Sequence, residues 1–181
     1  MRRSEIQHGL GMTMVLISGT MLFATLLMGY AIYRTSATAW PPMGTEPVNV
    51  VLPLLSTLTI LFSSYFMHQT RVQFADHKKA KMNLDTTLCL GILFMGIQML
   101  FWNELKSSGL LVGSGIFSSV LYGFTWIHAA HVVLGLCSLV WLRLVFKPAT
   151  RNLDVKLLNV EKFWHFLGAV WVIMFLTLFV L

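Results

Sequence analysis

Residues 116–142 read IFSSVLYGFTWIHAAHVVLGLCSLVWL. The stretch holds no charged side chain, and at 1.5 Å rise per residue it exceeds the roughly 20 residues needed to span about 30 Å of hydrocarbon. Four more apolar segments flank it at 12–33, 48–67, 86–105 and 163–181. Glu104, one residue from a segment end, is the sole formal charge inside the five. A helix satisfies every backbone polar group locally, which lipid requires. The expected fold is therefore an all-α membrane protein, a bundle of five transmembrane helices forming one domain over residues 1–181. Composition agrees. Hydrophobic residues make up 56% and charged residues 11% of the chain, against about a quarter charged in soluble domains.

The basic residues set an orientation. With the N-terminus in the cytoplasm, the inner side collects Arg2, Arg3, Arg71, Lys78, Lys79, Lys81, Arg143, Lys147, Arg151, Lys156 and Lys162. Only Arg34 and Lys106 fall outside. This asymmetry follows the positive-inside pattern and puts the C-terminus at the outer face. Trp40 and Trp102 fall at the outer boundary and Trp141 and Trp164 at the inner one, while Trp126 and Trp171 are expected deeper, between helices. Trp40-Pro41-Pro42-Met43-Gly44 reads as a stiff outer turn. The apolar run after Arg2-Arg3 is too long for a secretory signal and reads as a retained helix. The net charge of +6 is scattered through short connectors, so no nucleic-acid partner is expected. Cys89 and Cys137 lack metal or disulfide spacing and read as small packing residues.

Chemistry, if any, concentrates in the fourth segment. Ser118, Tyr122, Thr125, His128, His131, Gly135 and Ser138 recur at three- and four-residue spacings and form a polar, small-residue stripe. The opposite face, with Val120, Phe124, Ile127 and Leu134, suits lipid. Such a stripe lets a neighbouring helix approach and hydrogen-bond. Gly91, Gly96, Ala129, Gly135 and Gly168 add sites of close approach, and Gly135→Leu is expected to loosen association with a partner subunit.

An intramembrane histidine calls for a functional hypothesis. A bis-histidine haem needs imidazoles at similar depth. His165 lies near the inner boundary, about 3 Å deep, whereas His128 and His131 lie roughly 21 and 17 Å from it. No Cys or carboxylate completes a metal shell at their depth. The favoured reading is neutral histidines hydrogen-bonded between helices or to a partner, with no catalytic, cofactor-binding or metal residue in the chain. A proton path lacks buried acids: Gln98 is the main polar group, Glu104 is near one edge, and Asp85 is at the inner edge where it could be solvated.

Five stretches in order resemble subunit III of the haem-copper respiratory oxidases. Thr125-Trp-Ile-His-Ala-Ala-His-Val-Val-Leu-Gly135 is similar to TGFHGLHVxxG, and Phe163-Trp-His-Phe-Leu-Gly-Ala-Val-Trp171 to YWHFVDVVW. Trp40-Pro-Pro-Met-Gly44 resembles WPPxG, Pro53-Leu-Leu-Ser-Thr57 resembles PLLNT, and Phe94-Met-Gly-Ile-Gln98 resembles FxGLQ. The resemblance is to the short five-helix bacterial form. It implies a non-catalytic subunit in a bacterial plasma membrane, docked on subunit I and near subunit II. Those partners would hold the haem and copper, and this chain would bind phospholipid and support proton uptake or oxygen access. Structural or contact roles carry over to Gln98, Thr125, His128, His131, Gly135, Trp164, His165 and Trp171. The family's intramembrane acids do not: their positions are Gly19, Phe101 and Gly168 here, which puts carboxylate-dependent proton supply in doubt. Other readings are an equivalent nitric oxide reductase subunit, a small b-type cytochrome and a small transporter.

Overall fold

The computed structural model describes residues 2–37, 49–113, 115–147 and 152–180; the turn Trp40-Pro41-Pro42-Met43-Gly44 lies outside them. Five helices follow in chain order: α1 Arg2–Ser36, α2 Val51–Val72, α3 His77–Ser107, α4 Ile116–Val145 and α5 Leu153–Phe175. The last continues into a π turn, Leu176–Val180. All five are long and apolar enough to cross a membrane, and no strand occurs among the described residues.

The helices overrun the apolar segments, chiefly at the end of the bundle that carries most of the lysines. There α2 runs on to Val72, α3 starts at His77 and α5 starts at Leu153. Hydropathy marks only the part of a helix that suits hydrocarbon. Caps mark where it stops. Asp76 caps α3, its Oδ1 accepting from the Lys79 N–H at 3.2 Å. At the other end, Gly109 takes φ +80°, a conformation that favours glycine. The turn it makes lets the Leu110 and Gly109 N–H groups bond the Leu105 and Lys106 carbonyls at 3.0 and 3.2 Å. Leu110 and Leu105 pack together, which completes a Schellman end.

Four helices bury one seam each, and the seams share a spacing of alternating three and four residues. On α2 it runs through Ser56, Ile60, Ser63, Met67 and Thr70. On α3 the same rhythm takes in Leu84, Thr87, Gly91, Phe94, Gln98 and Phe101. On α4 the members include Ser118, Thr125, His128, Val132, Gly135 and Leu139, and on α5 Leu157, Val160, Trp164, Leu167, Trp171 and Met174. A 3.5-residue repeat keeps each seam facing its neighbours, as in a coiled coil. The small Ser, Thr and Gly members let the backbones approach.

α1 is different. Only 11% of its apolar window is buried, against 33–39% in the others. It rests on α5 and reaches α4 through rings, among them Tyr30 against Phe124 at 6.2 Å. This narrows the expected lipid face of α4. Phe124 is buried, and with Val120 and Ile127 it lines a groove of about 660 Å³ shared with α1; Leu134 alone of the four stays well exposed. One tryptophan departs from expectation: Trp126 is 49% exposed rather than between helices, whereas Trp164, expected at the inner boundary, is fully buried by its neighbours. Trp126 stacks edge-on to Trp102 and Tyr122 instead. Cys89 and Cys137 face outward, so they do not pack inside the bundle.

Candidate functional site

The middle of the bundle is held by neutral polar groups reaching between helices. The Trp164 indole of α5 donates to Ser63 Oγ of α2 at 3.1 Å, and Ser63 donates in turn to the Thr87 carbonyl of α3 at 3.0 Å. The Trp171 indole donates to Thr57 Oγ1 at 3.0 Å. Gln98 Nε2 donates to Ser56 Oγ at 2.9 Å, and the Trp102 indole donates to Thr125 Oγ1 at 3.0 Å. Indole, amide and hydroxyl suit this depth because a buried donor needs a partner but brings no charge to desolvate. Ser56-Thr57, Gln98, Thr125, Trp164 and Trp171 come from four of the five family-like stretches, and the fold brings those stretches together.

Trp164 fits because two glycines make room. A Cβ on Gly135 would lie 2.7 Å from Leu167 Cδ1 and 2.9 Å from Trp164 Cζ3. One on Gly91 would lie 2.7 Å from Leu136 Cδ2 and 2.8 Å from Trp164 Cη2. The ring thus sits in a notch between α3 and α4. Gly135 is internal, so its enlargement would act on the bundle itself first. Gly96, also expected at a close approach, faces open space.

His128 is fully buried inside a ring cage from three helices. Trp171 lies 5.3 Å away by centroid, Phe94 6.0 Å and Phe23 6.0 Å. Neither ring nitrogen has a hydrogen-bond partner among the described residues. That corrects the expectation of an interhelical hydrogen bond; aromatic packing holds this imidazole. His131 is half-buried, and its Nδ1 meets its own helix's Ile127 carbonyl at 2.7 Å. The polar stripe of α4 is therefore largely consumed within the chain, as Ser118, Tyr122, Thr125, His128 and Gly135 are all buried.

The lysine-rich end is charged instead. Arg143 of α4 grips both carboxylate oxygens of Asp85 of α3, so Asp85 is paired, not merely solvated. Glu161 of α5 is buried and bonded at Oε2 by Arg71 Nη1 at 3.0 Å. Its Oε1 lies 3.3 Å from His68 Nδ1 and 3.6 Å from His165 Nε2. His165 was expected; His68 and Glu161 were missed. Both stood just outside the apolar windows, His68 one position past 67 and Glu161 two before 163. Continuing the helical spacing would have found them, since 161 and 165 share a face and so do 68 and 71. These three groups converge at the lysine-rich end, away from the depth of His128 and His131.

Comparison with known proteins gives these geometries a family. The family model for cytochrome c oxidase subunit III matches residues 2–181. Curated relatives named cytochrome c oxidase subunit 3 include one from Synechocystis, 27% identical over 94% of this chain and 74% of its own length. Another, from Thermostichus vulcanus, is 28% identical over 95% and 86%. A third, from Bacillus sp. PS3, is 29% identical over 95% and 84%. Matched almost end to end and built around a seam from its family-like stretches, the chain belongs to the cytochrome c oxidase subunit III family.

Proposed function

We propose that the chain braces the catalytic subunit I of a haem-copper oxidase, which holds the haem and copper, with subunit II nearby. Subunit III is a non-catalytic part of a multi-subunit cytochrome c oxidase, and the chain is a multi-pass plasma-membrane protein. The family match over residues 2–181 carries this reading, and it disfavours a nitric oxide reductase subunit, a b-type cytochrome or a transporter. The lysine-rich end faces the cytoplasm, as the positive-inside pattern requires.

Docking uses surfaces other than the α4 stripe, since that stripe is buried within the chain. α1 is the least buried helix and borders the apolar groove with α4, so this side suits lipid chains or an apolar helix of a partner. Proton supply through the three family acid positions is not part of the role. A Cβ at Gly19 already meets the Phe166 ring at 3.0 Å, and one at Gly168 meets Ser64 Oγ at 3.0 Å. Phe101 is buried against Phe179, 5.7 Å between ring centroids.

Purification in mild detergent through a tag on this chain tests the proposal. A catalytic subunit with haem absorbance should co-purify, and harsher detergent should leave this chain without haem bands. Haem retained by the isolated polypeptide, or recovery without any oxidase subunit, defeats it.

A further inference from the structure

We infer that His68, Glu161 and His165 form a binding site for a divalent cation of the zinc class, tying α2 to α5 at the lysine-rich end. One ligand atom from each of His68, Glu161 and His165 lies within 4.8 Å of the others. A tetrahedral zinc with bonds of about 2.0–2.1 Å sets ligand atoms about 3.3 Å apart. The two edges to the carboxylate oxygen, 3.3 and 3.6 Å, already approach that value. The remaining histidine–histidine edge closes by a swing of His68, whose side chain is 50% exposed. Two imidazoles and one carboxylate leave a fourth position open for water, and imidazole donors select zinc-class ions over magnesium or calcium.

The carboxylate is built in rather than adventitious. Its side chain is 4% exposed, and the Arg71 guanidinium on Oε2 orients it so that Oε1 faces the imidazoles. Outer-shell partners of this kind fix metal-ligating carboxylates. Asp154 lines the same groove as Arg71, a second carboxylate on that side of the bundle. Zinc has no redox chemistry, so its presence agrees with a subunit that transfers no electrons. The site needs only this chain's fold, whichever subunit it docks against.

The test uses the full-length chain in mild detergent with whatever subunits accompany it. The sample is stripped with chelator, equilibrated with buffered Zn²⁺ and counted by elemental mass spectrometry. Wild type is expected to take up one zinc per chain beyond that held by any other subunit. His68→Ala and His165→Ala should each weaken that uptake by about tenfold or more, the size of effect that even an outer-shell change produces. Both replace half-exposed side chains, so the fold survives them. His77→Ala, at the start of α3, should bind as wild type does. X-ray absorption should show nitrogen and oxygen ligands at about 2.0–2.1 Å. Equal zinc in wild type and both histidine variants overturns the site, as does equal loss in His77→Ala.

Discussion

The middle of the bundle and its lysine-rich end solve the same problem, joining helices through polar side chains, with different chemistry. In the middle every interhelical partner is neutral: Trp164 on Ser63, Trp171 on Thr57, Gln98 on Ser56 and Trp102 on Thr125. At the end the partners are acidic and basic side chains, Arg143 on Asp85 and Arg71 on Glu161. Depth explains the difference. A charge far from water incurs a desolvation penalty that a single partner rarely offsets, whereas an indole bonded to a hydroxyl satisfies its donor and buries a large ring. Where side chains keep one edge in water, as Arg71 and Arg143 do, charge is tolerable but each pair is screened.

The sharpest way to break this contrast is to fill the tryptophan notch. Gly135→Leu should destabilise the bundle by about 1–3 kcal/mol or more, because overpacking displaces both Leu167 and Trp164. Gly96→Leu, with no atom near its Cβ, should stay within about 0.5 kcal/mol. Thermal unfolding in detergent compares them, and similar losses would mean that the notch is not what Gly135 provides. Next comes Trp164→Phe, which keeps part of the ring and loses the bond to Ser63. A loss of about 1–2 kcal/mol is expected, from the interhelical bond and the lost ring atoms together.

At the charged end the effects are smaller. Asp85→Asn should cost about 0.2–1 kcal/mol, since both side chains of that pair are partly exposed. The difference from wild type should vanish at molar salt, while that of Trp164→Phe should not change. Persistence of the Asp85 effect in high salt would show that the end is as dry as the middle. The smallest effect belongs to the Asp76 cap. Its backbone bond from Lys79 holds its carboxyl below the ordinary 3.8. The folded value is the lower one, so the contribution is present above pH 3.8 and is lost as pH falls through the folded value. Hydrogen exchange at the first turn of α3 should therefore quicken, relative to an Asp76→Asn variant, only below about pH 3.8.

Length and apolarity were enough to count five helices, because nothing but a helix satisfies a chain of such segments in lipid. The charge cluster at the lysine-rich end, however, was out of sight of any hydropathy window. Glu161 and His68 lay just past the apolar runs, and α5 reached back to Leu153 because polar residues continue a helix wherever water can solvate their side chains. The α4 stripe was legible as polar and small. Its destination was not, since a stripe facing the chain's own helices and one facing another subunit read alike along one strand of sequence.

What the sequence determined alone was the solvent of each segment, through its hydropathy, and hence the number of helices and the segregation of basic residues. The tertiary structure decided partners. Trp164 became a core side chain only because Gly91 and Gly135, from two other helices, leave its volume free. His128 became an aromatic-packed ring only because α1, α3 and α5 converge on it. Hydropathy is a property of one residue and its near neighbours; a notch, a cage or a set of converging ligand atoms is a property of several helices at once.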